Sequence, residues 1–491
     1  MDEQEKSDPA VVAMKPANKA ERSAAERAEP RAGTKGNADR DVPPRTLSRE
    51  KVEHGLVRIR QAAKREKETP LTALLHHVNP DSLLTAFYAL KRDAAAGVDG
   101  VTWRDYEHDL NTRLADLHGR IHRGAYRPLP ARRQYIPKAD GGQRPLAVTA
   151  LEDKIVQRTV QTILNAIYEE DFLGFSYGFR PGRSQHDALE ALVVGIGRKR
   201  VNWILDADIR SFFDTVNQEW LIHFVEQRIG DTRIIRLIQK WLKAGVLEDG
   251  LVSVNETGTG QGSVISPLLA NIYLHYVIDL WAQQWREHEA KGNMIIVRYA
   301  DDMIVGFEHE AEAHRFLEAM RGRLGEFALS LHPDKTRLVE FGRFAEANRQ
   351  RRGLGKPETF NFLGFTFICS KTMKGRFLIK RKSRRDRVRK KLLDIKEDLR
   401  RRWHQSIPEQ GKWLGQVVRG YFNYHAVPTN GLTLAKFRHH VVRIWKQALS
   451  RRSNRDRTTW ERIVKLTKDY IPSAAIIHDW PEQRFAVKYP R

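Results

Sequence analysis

Cysteine occurs once in these 491 residues, as Cys369. A lone thiol makes no intrachain disulfide and no Cys-x-x-Cys zinc site. Long apolar runs are missing as well: none approaches the roughly 20 residues of a membrane-spanning helix. The first residues, MDEQEKSD, are acidic and lack the basic-then-apolar order of a signal or transit peptide. These absences predict a soluble chain of the cytoplasm with no membrane partner. Acidic residues are in deficit, 61 Asp and Glu against 85 Lys and Arg, for a formal net charge of +24. An excess of that size suits a polyanionic partner. A hydrophobic fraction of 41% still supplies a core, and the length predicts two or three domains.

Residues 1–50 are rich in Ala, Glu, Arg, Lys and Pro and poor in large apolar side chains, so a disordered extension is expected. From about 50 to 130 the pattern is mostly helical, with Asp81 the expected cap of the stretch NPDSLLTAFYALKRD. ARRQYIPKADGGQRPLAVTA (131–150) predicts a β-hairpin turning at DGG, followed by a helix over 151–170. VNWILDADIRSFF (201–213) predicts a buried strand, with Asn217 capping the helix beyond it. Residues 231–245 place Ile234, Ile235, Ile238, Trp241 and Leu242 on one helical face. Ser266-Pro267 opens an expected helix to about 285. A hairpin over 294–307 and a helix near 310–327 follow. Short strands are expected around 336–341, 360–368 and 376–380, then a basic helical remainder from about 384.

The 294–307 hairpin carries the chemistry. RYADDMIVGF (298–307) sets Asp301 and Asp302 side by side between the core-type runs IIV and MIV. Two unit charges about 4 Å apart repel by about 4 kcal/mol at an effective dielectric of 20. A divalent cation removes that penalty. Mg²⁺ takes oxygen ligands, one or two of them protein carboxylates, and keeps phosphate oxygens and water for the rest. The neighbouring strand offers Asp206 and Asp208 on one face, with Asp208 nearer its end. Asp208, Asp301 and Asp302 are therefore the candidate catalytic and metal-holding residues. They would hold two Mg²⁺ ions, with Mn²⁺ as a substitute, in the arrangement that suits in-line phosphoryl transfer. SYGFRPGRS (176–184) sets Arg180 and Arg183 among Tyr177 and Phe179, a combination of charge and stacking suited to a single-stranded template.

Several blocks taken together resemble one family. Tyr299-Ala300-Asp301-Asp302 matches the YxDD box of reverse transcriptases in its YADD form. YRPLPARRQYIPKADGGQRPL, SYGFRPGRS, LDADIRSFFDTV, GTGQGSVISPLLANIYLH, SLHPDKTRLVEFG and QGKWLGQVVRGYFNYHAVPTN resemble, in order, segments of group II intron-encoded proteins of the bacterial type. The resemblance runs from about residue 75 to 491. It implies an α+β right-hand polymerase, with fingers and palm of antiparallel sheet plus helices over 51–370. An all-α basic thumb, or maturase, domain would follow over 371–450. Residues 451–491 are read as a basic extension with DNA as a candidate partner.

The same resemblance implies roles. The backbone carbonyl of Ile209 joins the metal ligands. Lys138 and Arg144, on the fingers hairpin, grip the incoming dNTP, as a point charge and a forked donor should. Phe213 excludes a 2′-hydroxyl, although strict strand alternation would group Phe212 with Asp208. Gln261 approaches the nucleotide or template, and Lys335 supports the site, an ordinary surface lysine being the competing reading. FNFLGFTF (360–367) resembles a primer grip in which Gly364 lets the backbone approach the primer.

Two departures are visible. The family's GTPQGG reads GTGQGS here, with Gly260 and Ser263, which predicts tuned rather than lost activity. No cysteine pairs of an HNH-type nuclease occur, so DNA cleavage by this chain is not expected. Residues 371–403 hold 16 Lys and Arg against 4 Asp and Glu, a phosphate-tracking density. The aromatics Trp413, Tyr421, Phe422, Tyr424 and Trp445 are expected to be mostly core, and His425, His439 and His440 lack zinc spacing.

The leading expectation is an RNA-directed DNA polymerase that also binds its group II intron RNA as a maturase, with RNA template, DNA primer or target and dNTPs as partners. A splicing-only RNA-binding maturase and a domesticated stand-alone reverse transcriptase in antiphage defence or diversification are the alternatives.

Overall fold

Strand β6 (Met294–Tyr299) shows why this chain needs two apolar layers. Successive side chains of a strand point to opposite faces. Met294 and Ile296 enter one hydrophobic cluster, while Ile295 and Val297 enter another. The sheet is therefore buried on both sides, and its two hairpin strands carry the apolar runs MIIV and MIVGF. Four strands build it in the order β6-β7-β3-β8, all antiparallel, with β3 at Trp203–Asp208, β7 at Asp302–Phe307 and β8 at Arg337–Glu340. The computed structural model describes residues 43–137, 142–248, 251–254, 257–260, 262–452 and 458–488.

One face of this sheet packs on helices Leu151–Tyr168, Ser266–Leu274 and Glu310–Glu326 through the larger cluster. The other packs on helix Gln185–Arg198 and on an antiparallel sheet of β9 (Phe360–Phe362), β10 (Phe365–Lys371) and β11 (Phe377–Ser383). A further sheet, ordered β2-β1-β4-β5, carries the expected hairpin of β1 (Ala131–Pro137) and β2 (Gln143–Val148). Strand β4 (Val246–Glu248) runs parallel to β1 and pairs with β5 (Leu251–Ser253). The turn residues 138–141 lie outside the described residues. The α+β class is as the sequence predicts: palm and fingers sheets with helices, then a helical C-terminal region.

That region has its own core, centred on Trp445, Leu414, Val418 and Phe437. Tyr421, Phe422 and Trp445 are buried in it, as expected of most of these aromatics. The core also takes Ile463 and Ile471, from and beside helix Trp460–Tyr470, so this packing unit continues past residue 450. Beyond it, Phe485 returns to the cluster under the palm sheet.

Several boundaries differ from the sequence reading. Residues 1–42 lie outside the described residues, and a helix already runs over Pro43–Arg65, ahead of the boundary at 50. Asn79, not Asp81, caps helix Pro80–Ala89: its side chain accepts from Ser82 N–H, and Ser82 Oγ accepts from Asn79 N–H. Pro80 at the first helical position fixes this frame, because its ring presets φ and it has no N–H to satisfy. Asn217 caps the next helix as expected, accepting from Trp220 N–H at 2.9 Å. The strand at 201–213 stops at Asp208; Ser211 turns left-handed (φ 46°), and Phe212–Thr215 form a helical turn. The expected helix from Ser266 is interrupted by a π turn over His275–Asp279 before it resumes over Leu280–His288.

Candidate active site

The loop of the β6–β7 hairpin is two residues long, because Tyr299 and Asp302 are paired. Ala300 and Asp301 fill it, and Ala300 takes φ +56°, a left-handed conformation costing an L-residue about 1–2 kcal/mol. Two contacts hold it there. Arg298 Nη1 donates to the Ala300 carbonyl at 3.0 Å. Gly178 lies so close that a Cβ built on it would meet Ala300 N at 2.3 Å.

β3 sets the third carboxylate. Asp208 pairs directly with Asp302, and opposed residues of antiparallel strands stand about 4.5–5.5 Å apart at Cα. Lys335 Nζ lies 2.9 Å from Asp208 Oδ2, and His332 N–H donates to the Asp208 carbonyl at 2.7 Å. The Lys335 turn is thereby tied to the end of β3. Solvent reaches Asp302, yet desolvation at the mouth of the cleft, then the charges of Asp301 and Asp208, push its pKa up to about 6; Arg387 and Lys335 oppose the rise. Asp206, one step back on the same face, is raised to about 7 by burial first, and its neighbour Arg337 stands at 3.9 Å.

As they stand, no three His, Cys, Asp or Glu side chains among the described residues are grouped tightly enough to hold an ion. The donor set nevertheless fits a hard divalent cation. It offers carboxylate oxygens from two adjacent strands, crowded enough to penalise one another, with a lysine ammonium as the nearby counter-charge.

The remaining candidates divide. Phe212 is 2% exposed and belongs to the core, whereas Phe213 lines a cavity of about 120 Å³ with Thr259, Gly260, Ser263 and Gln157. Ile209 follows Asp208 at the strand end and bridges Leu331. Gly364 has φ +82° in the β9–β10 turn, where its absent Cβ would stand 3.5 Å from Arg387 Nη1. Arg183 donates to the Gly174 carbonyl at 2.5 Å and lies over the Tyr177 ring. Arg144 lies on β2 opposite Ile136, while Lys138 and Gln261 fall outside the described residues.

Arg180 requires a correction. Its guanidinium is buried, forks onto Glu169 with two bonds of 3.0 Å, and donates to the Leu173 and Ser176 carbonyls at 2.7 Å. It braces the loop from within and is not available to a template strand. The Ser263 hydroxyl is tied down at the cavity wall: its Oγ donates to Gln157 Oε1 at 2.8 Å, as Val264 N–H does at 3.1 Å. At Gly260 an added Cβ would make only an ordinary contact with Ala147, whereas Gly262 (φ +108°) would clash with the Ala147 carbonyl. The obligatory glycine of this turn is therefore present.

Sequence reasoning missed Arg387 and the buried group around Arg298. The second left a signal: Arg298 interrupts the core run MIIV, and Asp279 interrupts YVIDLW. Opposite charges embedded in two apolar runs are candidates for each other.

Comparison with known proteins agrees with this geometry. The family model described as "Reverse transcriptase (RNA-dependent DNA polymerase)" matches residues 136–367. "Protein YkfC" of Escherichia coli is 38% identical over 276 residues, which is 49% of this chain and 71% of that protein. "Group II intron-encoded protein LtrA" of Lactococcus lactis is 35% identical over 222 residues, 45% of this chain and 37% of that protein. "Nuclear intron maturase 3, mitochondrial" of Arabidopsis thaliana is 26% identical over 181 residues, 33% of this chain and 25% of that protein. This chain belongs to the reverse transcriptase family. Its relatives group it with the group II intron-encoded proteins and intron maturases, although the match to LtrA spans little more than a third of that protein. Among the described residues no helix is long and apolar enough to cross a membrane.

Proposed function

We propose that this chain copies RNA into DNA and binds a group II intron RNA as its maturase, working in the cytoplasm. The observation that carries the polymerase reading is the direct pairing of Asp208 with Asp302 beside the strained Ala300–Asp301 turn.

In this reading Asp208, Asp301 and Asp302, with the Ile209 carbonyl, hold two Mg²⁺ ions. Bound there, the ions would activate the primer 3′-hydroxyl and neutralise charge on the departing pyrophosphate. The chain's own groups do the rest. Lys335, already 2.9 Å from Asp208, would be freed to donate to a phosphate oxygen once another cation balanced that carboxylate. Lys138 and Arg144 clamp the triphosphate from the fingers hairpin. Phe213, half-exposed at the cavity wall, closes the space a 2′-hydroxyl needs, and Gln261 approaches the nucleotide. The Gly364 turn offers backbone to the primer, and Arg183, with the exposed ring of Phe179 in the same loop, faces the template. The basic helix Arg385–Arg401 tracks phosphates of the duplex and, in the maturase role, of the folded intron.

The test is primer extension by the full chain on an RNA template with a DNA primer, dNTPs and Mg²⁺. Extension by the wild type, lost in Asp301→Ala while RNA affinity persists, is the expected result. An Asp301→Ala variant that polymerises normally refutes the site. Splicing of the flanking intron RNA with and without the protein tests the maturase half.

A further inference from the structure

We infer that Arg298, held by Asp279 of the π turn, is a positioning residue that sets the height and angle of the Ala300–Asp301 turn, and through it the two carboxylates. This rests on the reading of that turn as the polymerase centre.

A guanidinium has five N–H donors in a fixed plane, and here each has an acceptor. Nε donates to Asp279 Oδ1 at 2.6 Å and Nη2 to Asp279 Oδ2 at 2.5 Å, a bidentate fork. The other Nη2 proton goes to Ser176 Oγ at 2.7 Å. Nη1 donates to Asn271 Oδ1 at 3.1 Å and to the Ala300 carbonyl at 3.0 Å. Asn271 in turn donates to the Gly178 carbonyl at 2.6 Å, and Gly178 is the residue packed on Ala300. One side chain thus ties the catalytic turn to the 175–178 segment, the helix from Ser266 and the π turn beyond it.

The π turn explains how Asp279 reaches this place. One extra residue in a helix rotates everything after it by about 100°. The turn therefore re-aims the helix at the point where an acid must face β6. Asp279 and Arg298 are 0% and 1% exposed, so neither contributes to solubility or to partner binding. A buried pair of this kind is weak evidence of extra stability. What it supplies is direction: the fifth donor lands on the carbonyl of the one left-handed residue in the catalytic loop.

Lysine carries the same charge but only three donors and no planar fork, so Arg298→Lys tests the inference in the full chain. A displacement of about 1 Å at a reacting centre costs about 100-fold in rate. The expected result is a single-turnover incorporation rate down about that much at saturating dNTP, a higher half-saturating Mg²⁺ concentration, and unchanged primer–template affinity. Deuterium uptake of a peptide covering 299–303 should rise while peptides of 434–449 stay as in the wild type. Asn271→Ala, which leaves the Asp279 fork intact, should show the same pattern with a loss of about 10-fold, and it stands in if Arg298→Lys does not fold. A merely structural role predicts fewer active molecules, read as burst amplitude, with normal rate and Mg²⁺ dependence in those that remain; that outcome overturns the inference, as does wild-type exchange at 299–303. If the wild type itself does not extend a primer, the polymerase reading fails separately, and the exchange measurement still decides whether Arg298 holds the turn.

Discussion

Adding one methyl group at Gly178 should disable the enzyme without touching a carboxylate. The Cβ of Gly178→Ala would stand 2.3 Å from Ala300 N, 2.9 Å from Tyr299 C and 3.1 Å from Ala300 Cα. All three atoms are backbone, so no side chain can swing aside. Ordinary contact needs about 3.4 Å or more, so the two segments must part by about 1 Å. Ala300 N belongs to the loop that carries Asp301, and the displacement therefore falls on the turn to which we assign metal binding. Overpacking of this kind costs about 1–3 kcal/mol of stability, and the misplacement about 100-fold in rate. Urea unfolding reads the first quantity. Single-turnover incorporation, normalised by burst amplitude, reads the second. A variant within threefold of the wild-type rate would show that the close approach of Gly178 to the turn is not what fixes the site.

Two further outcomes follow from burial and titration. Gly322, in the middle of helix Glu310–Glu326, has nothing within 4 Å of an added Cβ, so Gly322→Ala should stabilise the protein by up to about 1 kcal/mol in the same urea assay, with no change in rate. His478 is buried, with Nε2 at 2.7 Å from the Asn423 carbonyl and Nδ1 at 3.1 Å from Arg484 Nη1; burial first, then Arg484 and Arg381, lower its pKa to about 4 despite the Asn423 bond and Asp479. The folded pKa lies below the unfolded value of 6.5, so the neutral ring's contribution is complete above pH 6.5 and drains away as pH falls towards 4. Between pH 7 and pH 5 the stability difference between wild type and His478→Gln should shift by about 2 kcal/mol against the wild type; a pH-independent difference would mean that His478 titrates normally.

Legibility followed a physical rule: patterns set by the chain alone were readable, and burial of charge was not. The β6–β7 hairpin was legible because strands covered on both faces are apolar nearly throughout, Arg298 being the exception that Asp279 neutralises, and because the carboxylates fall at the exposed end. The pairing of Asp208 with the turn followed from its place at the end of β3. Arg180 misled for the converse reason. A sequence displays its charge next to aromatics but not Glu169, eleven residues away in the chain, which takes that charge indoors. The π turn left no trace in periodicity, since a single extra residue in an apolar helix changes which face is buried and not how apolar the segment is. Asn79 was passed over in favour of Asp81 because both are good capping residues; Pro80 decides between them. The sequence shows Ser263 as a departure, but not Gln157, more than a hundred residues away in the chain, which accepts the hydrogen bond of its hydroxyl.

The most direct test of the central claim is the position of Mn²⁺, by its anomalous scattering, in crystals of the full chain with an RNA template, a DNA primer and a non-hydrolysable dNTP analogue. The expected result is an ion about 2.1 Å from oxygens of both Asp208 and the Asp301–Asp302 pair, with Lys335 displaced from Asp208. An ion bound elsewhere, or Asp208 still paired with Lys335 while the nucleotide is in place, would contradict it.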